Sequence, residues 1–238
     1  IRLGLLITVV IQIYLLLRET REHQKELLRY QEMQNEMLQM RVSIMVSQIQ
    51  PHFLYNSLTS IAQLCEKNPS KAKKATIEFS EYLRRNMNSL KEQAPVPFES
   101  ELKHLETYLS LEKMRFGDEL NIEYDIEATD FLIPSLTVQP LVENAIEHGI
   151  DLLTDRRGVI TVAAKLYNGL IHIEVKDNGI GMPKETAHTF LTSESGGYGA
   201  RNVNDRIRLF YGEQYNLKVS SDENGTVITI EFPARKPV

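Results

Sequence analysis

Residues 175–183, VKDNGIGMP, decide the fold of the C-terminal half of this 238-residue chain. They end an alternation of apolar and polar residues over 171–175, the period of two that predicts a half-buried strand. Gly179 and Gly181 allow positive φ angles and close backbone approach beyond that strand. The carboxylate of Asp177 can accept a hydrogen bond from an exocyclic amine such as that of adenine. Asp-Asn-Gly is also an ordinary turn, so this stretch alone leaves both interpretations open.

The same period of two recurs on both sides of this stretch. Apolar residues alternate over 122–126 and again over 226–232, and helical patterns lie near 135–148 and 200–211. We therefore predict the α+β class, in which residues 117–238 form an α/β sandwich: a mixed sheet covered by helices on one face.

A helical stretch precedes the strand at residues 139–149, QPLVENAIEHG. Asn144 and His148 are four residues apart and share one helix face. An amide oxygen suits Mg²⁺, which keeps several waters and bridges to phosphates. Alternatively, Gly149 ends the helix, His148 interacts with the helix dipole and Asn144 faces solvent.

A glycine cluster runs into a helix at residues 196–208, GGYGARNVNDRIR. Such a cluster directs free backbone N–H groups at an anion, and Arg201 and Arg206 can add charge-assisted contacts to phosphate oxygens. The polar spacer 182–195 is predicted to close over a bound nucleotide as a lid. The alternative is a flexible loop followed by an amphipathic helix.

The N-terminal residues 1–17 are mostly apolar and are followed by Arg18 and Arg21. This pattern predicts the end of a truncated transmembrane helix whose continuation lies in the cytoplasm, with an N-terminal packing helix as the alternative. Residues 18–46 are predicted to form a signalling coiled coil in a parallel dimer, although a helix packed on its own domain fits too. The apolar seam of this coil consists of Tyr30, Met33, Met37, Met40 and Ile44.

The stretch SQIQPHFLYNS, residues 47–57, places Pro51 directly before His52 within a helical pattern. Proline in a helix interior predicts a kink or a restart. Neutral histidine is nucleophilic near pH 7, but a core histidine beside a packing kink is the simpler interpretation of this window. A break at 68–70 separates two helices, so residues 47–116 are predicted to form a dimeric helical bundle.

The composition excludes some classes of partner and site. The chain has 27 basic and 32 acidic residues, a net charge of −5, so nucleic acid is not a predicted partner. The single cysteine, Cys65, excludes an internal disulfide framework and a cysteine-rich zinc site. It is predicted to be a buried small hydrophobe in a reducing compartment.

Several short motifs, taken in chain order, resemble those of the ATP-binding fold shared by gyrase, Hsp90, sensor histidine kinases and MutL. Residues 50–56 and 141–149 are most similar to the phosphoacceptor and asparagine boxes of the LytS/YesM-type sensor histidine kinases. The resemblance covers roughly residues 45–233. The nucleotide motifs are Asn144, Asp177 to Gly181, Gly197 to Gly199, and Gly225 with Thr226.

The resemblance implies a membrane-anchored, homodimeric protein histidine kinase of a two-component system. Its activity would be ATP-dependent autophosphorylation of His52 and transfer to an aspartate of a response regulator. Asn144 would bind Mg²⁺, Asp177 the adenine, and the turn 197–202 the phosphates. The further predicted nucleotide contacts are His148, Gly179, Gly181, Gly197, Gly199, Arg201, Asn202, Arg206 and Thr226.

The chain departs from the family pattern beside the phosphates. Glu147 stands where related kinases often carry lysine. Arg201 or Arg206 would then have to supply the positive charge.

A second departure concerns the proton of the imidazole. Phe53 follows His52, whereas many histidine kinases have an acidic general base there. Asn56 can hydrogen-bond an imidazole but cannot take its proton, so Glu143 is the predicted acceptor. Two rivals remain: an ATP-gated conformational ATPase, disfavoured because Pro140 occupies the place of its glutamate, and a scaffold that binds no nucleotide.

Overall fold

The computed structural model describes residues 18, 20–34, 51–89, 94–183, 186–187, 190–191 and 198–235. The chain divides into two compact units between Pro51 and His52. In the first unit, residues 20–34 form a helix, α1, whose side chains are exposed. The predicted seam residues Tyr30 and Met33 lie on this helix. The other seam residues and the predicted transmembrane segment 1–17 lie outside the described residues.

The membrane prediction has a limited outcome. Within the described ranges, no helix is long and apolar enough to cross a membrane. The prediction for residues 1–17 is therefore neither confirmed nor contradicted.

Two helices follow, α2 (Pro51–Lys67) and α3 (Pro69–Ser89), which belong to the second unit apart from Pro51. Pro69 is the first residue of α3, a position where proline is favoured because its missing N–H has no intrahelical partner there. The residues before Pro51 lie outside the described part, so the predicted kink stays a prediction. The predicted break between the helices is confirmed, because Asn68 Oδ1 accepts the N–H of Lys71 at 3.1 Å, as a helix cap does.

The prediction that Cys65 is buried is wrong. The thiol lies on an exposed part of α2. This helix instead buries the side that carries Phe53 and Ser57.

A third long helix, α4 (Phe98–Phe116), follows the short strand β1 (Val96–Pro97). Strand β1 pairs antiparallel with β3 (Leu132–Ile133). Gly117 ends α4 with φ +60°, a conformation that glycine adopts without strain. The helix is buried along most of its length through Phe98, Glu101, His104, Leu105, Tyr108, Leu109, Leu111 and Glu112.

A mixed five-stranded sheet forms the rest of the unit, in the order β2-β4-β5-β7-β6. Strands β2 and β4 are parallel and the other neighbours are antiparallel. The turn Asn168–Gly169 joins β4 to β5 with φ angles of 51° and 77°, as a two-residue hairpin requires. The strands are β2 (Leu120–Ile126), β4 (Gly158–Tyr167), β5 (Leu170–Asp177), β6 (Leu217–Asp222) and β7 (Gly225–Pro233).

Helices cover one face of this sheet, which confirms the predicted α/β sandwich. They are α4, α5 (Gln139–Asn144), a π-helix (Ala145–Ile150) and α6 (Tyr198–Tyr211). The inward residues of the central strands are apolar: Ile171, Ile173, Val175, Ile228, Ile230 and Phe232. The opposite face carries polar side chains such as His172, Lys218 and Glu231.

The helix predicted near 135–148 differs from the structure. It begins at Gln139 and changes to a π-helix after Asn144, where the N–H of Asp151 donates to the carbonyl of Ile146 at 2.8 Å. A spacing of five residues between donor and acceptor defines a π turn, and the side-chain pattern gave no sign of it. The predicted division between residues 116 and 117 stays a prediction.

Candidate functional site

A cavity of about 190 Å³ lies between the helical segment 139–150 and strands β5 and β7. Its polar lining comes from separate stretches of the sequence and includes Asn144, Asp177 and Thr226. Few polar groups around an apolar slot suit a flat heterocycle that must be oriented by hydrogen bonds. The apolar lining consists of Leu141, Ala145, Val175, Met182, Phe190 and Ile228.

Asp177, the last residue of β5, is 5% exposed and is held rigidly by main-chain donors. Its Oδ1 accepts the N–H of Gly179 at 2.8 Å and that of Thr226 at 3.3 Å. Burial raises the pKa of this carboxyl, and the two N–H groups oppose that rise. Among the described residues no hydrogen bond uses Oδ2. That oxygen is therefore available as an acceptor for a ligand amine.

Two glycines bring backbone close to this carboxylate. A Cβ on Gly179 would collide with the Cα of Gly149, and one on Gly181 would collide with the carbonyl of Asp222. Gly181 also has φ +63°, a conformation that side-chain-bearing residues rarely adopt. Larger residues at either position would displace the loop that forms this wall of the cavity.

Asn144 ends α5 with its side chain on the cavity. Its amide nitrogen is buried and has no hydrogen-bond partner within the described part of the chain. Gly199, at the start of α6, lies against it: a Cβ on Gly199 would stand 3.7 Å from that nitrogen. An unsatisfied buried amide is expected to bind a ligand, an ion or a water. The helical stretch and the glycine stretch thus meet beside one polar group.

The residues around Asn144 fit Mg²⁺ only together with a ligand that brings oxygens. In the described ranges, no group of three or more His, Cys, Asp or Glu side chains could hold a metal ion. A single amide oxygen plus phosphate oxygens and water is an ordinary magnesium environment. Either orientation of the amide can be chosen on binding, since the oxygen and nitrogen of asparagine exchange by a flip.

The remaining predicted contacts occupy different positions. His148 is exposed in the π-helix and lines the cavity. Arg201 and Asn202 are exposed near the start of α6, two and three residues after Gly199. Gly197 lies outside the described residues. These positions leave the phosphate contacts of the glycine turn as predictions.

Arg206 is bound elsewhere. Its two terminal nitrogens donate to the carbonyls of Ser135 and Leu136 at 2.6 and 2.5 Å. Both terminal nitrogens of the guanidinium are thus already used within the protein, and the predicted phosphate contact has no support in this arrangement. Arg201 remains as the predicted cation.

His52 lies near the start of α2 with an exposed side chain. The amide nitrogen of Asn56, one turn later, donates to His52 Nε2 at 3.0 Å. Phe53 fixes this end of the helix, because its buried ring packs 4.8 Å from Tyr82 and 4.9 Å from Tyr108, measured between ring centroids. The imidazole is therefore presented to solvent by an anchored helix.

Glu143 faces the helical layer and not the cavity. Its Oε1 accepts the side-chain N–H of Gln139 at 2.6 Å, and Gln139 lies 3.3 Å from the hydroxyl of Tyr82. Burial, together with the charges of Glu147 and Glu112, raises the pKa of Glu143 to about 7, against the effect of the Gln139 hydrogen bond. Because Tyr82 also packs on Phe53, Glu143 is connected through Gln139 and Tyr82 to the residue that follows His52.

Glu112 is a buried acidic group that the sequence interpretation did not identify. Arg115 donates to it at 2.7 Å and also binds Asp151 at 2.9 Å. Burial raises the pKa of Glu112, whereas Arg115 and, more weakly, His52 lower it. Its position one turn after Tyr108, on the buried face of α4, was the available signal.

Two family models match the chain. The histidine kinase model matches residues 40–120, and the model described as histidine kinase-, DNA gyrase B-, and HSP90-like ATPase matches residues 130–236. Together they include both the His52 helix and the cavity.

Individual relatives are similar over most of this chain. The uncharacterized protein YwpD of Bacillus subtilis is 35% identical over 81% of this chain and 70% of its own length. The sensor histidine kinase YesM of the same organism is 38% identical over 81% of this chain and 33% of its own length. The sensor protein LytS of Staphylococcus saprophyticus is 34% identical over 79% of this chain and 32% of its own. The chain thus spans about a third of YesM and LytS.

Proposed function

This chain belongs to the sensor histidine kinase family of the LytS and YesM type, and we propose on that premise that it phosphorylates its own His52 with ATP. The observation that carries the proposal is the cavity on which Asn144, Asp177 and Thr226 converge, in the same compact unit as an exposed His52. The second step is transfer of the phosphoryl group to an aspartate of a response regulator.

The two ends of the cavity bind different parts of the nucleotide. Oδ2 of Asp177 accepts a hydrogen bond from the exocyclic amine of adenine, and the apolar residues of the cavity enclose the ring. The phosphates extend toward Asn144, Gly199 and the exposed first turn of α6, where Arg201 supplies positive charge. Asn144 and phosphate oxygens would hold Mg²⁺, which neutralises phosphate charge when it is bound.

Phosphoryl transfer requires little covalent chemistry from the protein. The lone pair of a His52 ring nitrogen attacks the γ-phosphorus, the bond from phosphorus to the bridging oxygen breaks, and ADP leaves with that electron pair. The ring proton is then lost to a base. Asn56 orients the imidazole, and Glu143 accepts the proton. A pKa of about 7 supports this role, because such a group can hold or release a proton at neutral pH.

The assembly and location of the protein are part of the same proposal. Residues 47–116 dimerise as a helical bundle, residues 18–46 continue this dimer as a coiled coil, and residues 1–17 anchor it in the cell membrane with this chain on the cytoplasmic side. The proposal of a dimeric bundle is supported by large apolar side chains that are exposed on α2 and α3: Tyr55, Leu58, Ile77 and Met87. Cross-linking and sedimentation of the intact protein test these statements.

Incubation with γ-labelled ATP and Mg²⁺ tests the kinase proposal. We expect acid-labile label on the wild-type chain, none on His52→Gln, and a large loss on Asn144→Ala. His172→Gln is the matched control, because that histidine lies on the sheet face away from the helices. Phosphate release without label would identify an ATPase, and absence of both would identify a scaffold. Either result contradicts the proposal.

A further inference from the structure

Glu101 is a buried carboxylate that accepts hydrogen bonds from a segment distant in the sequence. It lies in the first turn of α4 and is 4% exposed. Its Oε1 accepts the N–H groups of Thr137 and Val138 at 2.8 and 2.9 Å, and its Oε2 accepts that of Leu136 at 3.0 Å. These three residues directly precede α5. Three main-chain donors on one carboxylate fix the position of the peptide that leads into this helix.

Arg206 binds the same peptide through its carbonyls. It belongs to α6 and donates to Ser135 and Leu136. Burial raises the pKa of Glu101 and lowers that of Arg206, and each charge opposes the shift of the other. We call Glu101, Arg206 and the segment 135–138 between them the peptide clamp. It joins α4, the start of α5 and the middle of α6.

Two of the three helices that the clamp joins, α5 and α6, also meet at Asn144. Gly199 in the first turn of α6 lies against Pro140 and Asn144: its Cβ would stand 3.2 Å from the Cβ of Pro140. Arg206 follows Gly199 by two helical turns on the same helix. The relative position of α5 and α6 at the phosphate end of the cavity is therefore set by a fixed point outside the cavity.

The adenine end does not depend on this fixed point. Asp177 and Thr226 belong to β5 and β7, which are paired along their whole length. The two ends of one ligand site are thus held by different means: the sheet holds one, and the peptide clamp holds the other.

We propose that Glu101 and Arg206 are positioning residues for the phosphate end of the site. They keep Asn144 and the glycine turn of α6 at the separation that the ATP phosphates require, although neither touches the nucleotide. This inference rests on the proposed kinase function. It also gives α4 a route to the nucleotide, since α4 carries both Glu101 and Tyr108, the residue that packs on Phe53.

Binding of adenosine and of ATP with Mg²⁺ to the full chain separates the two ends. For Glu101→Gln we expect the affinity for ATP to fall by roughly tenfold or more, and His52 labelling to slow as well, because small displacements of reacting groups have large effects. The affinity for adenosine should stay within about twofold, as expected when an interaction acts on one part of a ligand only. Arg206→Lys, which keeps the charge but loses the forked contact, should show a smaller change of the same kind.

Matched controls are Glu99→Gln, an exposed acidic residue in the same turn of α4, and Arg208→Lys on α6. Both should behave as the wild type. Equal losses of adenosine and ATP binding, or unchanged ATP binding in folded variants, would overturn the proposed positioning role of the peptide clamp. If Glu101→Gln does not fold, Arg206→Lys decides by the same criteria. A wild type that neither binds ATP nor labels His52 would instead refute the kinase function itself.

Discussion

The cavity and the His52 surface are built in opposite ways. Asp177 is almost fully buried and is fixed by two main-chain N–H groups from separate segments. His52 is exposed, and its side chain is bound by Asn56 of the same helix. One region is preorganised and the other is accessible. Under the proposed function, this difference means that the nucleotide binds to a preformed site and that the imidazole is brought to it.

Asp177→Asn tests the preorganised region and has the largest expected effect. The replacement puts an amide N–H where either a main-chain N–H or the adenine amine must donate. We expect the affinity for adenosine and for ATP to fall by at least roughly a hundredfold, because buried polar groups left unpaired discriminate strongly. Titration calorimetry measures this loss. Asp118→Asn, in the exposed turn after α4, is the control, and equal affinities in the two variants would break the comparison.

Glu143→Gln tests the layer between the two regions. The folded-state pKa of Glu143 is raised from 4.5 to about 7, so the unfolded chain releases this proton first as the pH increases. Wild-type stability should therefore fall between about pH 4.5 and 7 by roughly 3 kcal/mol relative to the variant. Urea unfolding of both proteins at several pH values measures the difference. Burial lowers the pKa of His104 to about 4, which makes the opposite contribution to the pH dependence. This contribution is the same in the wild type and the variant, so it cancels in their difference.

The same variant also tests proton acceptance. His52 labelling should slow while ATP binding persists, and the pH dependence of the labelling rate near pH 7 should change. An unchanged labelling rate would remove Glu143 from the mechanism. Glu99→Gln, an exposed acidic residue in the first turn of α4, is the control variant.

Asn56→Ala tests the accessible region and has the smallest expected effect. One exposed hydrogen bond to an imidazole contributes little, so the labelling rate at saturating ATP should fall by about threefold. Thr59→Ala, on the same exposed side of α2, controls for changes of the helix itself. A loss as large as that of Asp177→Asn would show that His52 is as preorganised as the cavity, which would remove the contrast.

The parts of the fold that depend on local periodicity were predictable. Alternation gave the strands around residues 122–126, 171–175 and 226–232, and glycine spacing gave the turn after Asp177. The convergence of Asn144 and Asp177 also followed from motif order, because the family resemblance supplied the topology that the residues alone did not.

The buried polar pairs were not predictable. Glu101 resembles any acidic residue in the first turn of a helix, and its partners are 35 to 37 residues away. Arg206 was assigned to phosphate because its guanidinium follows the glycine cluster in the sequence and can make charge-assisted contacts to phosphate oxygens. Pairings between distant segments depend on tertiary packing, which neither composition nor period reveals.

The π-helix after Asn144 has a consequence for changes in chain length. A turn that closes over five residues contains one residue more than an ordinary turn. Deleting any single residue between 145 and 150 would let the segment relax to α geometry, and the residues inside it would then project in different directions. His148 and Gly149 would then leave the cavity wall, so this stretch should not tolerate shortening.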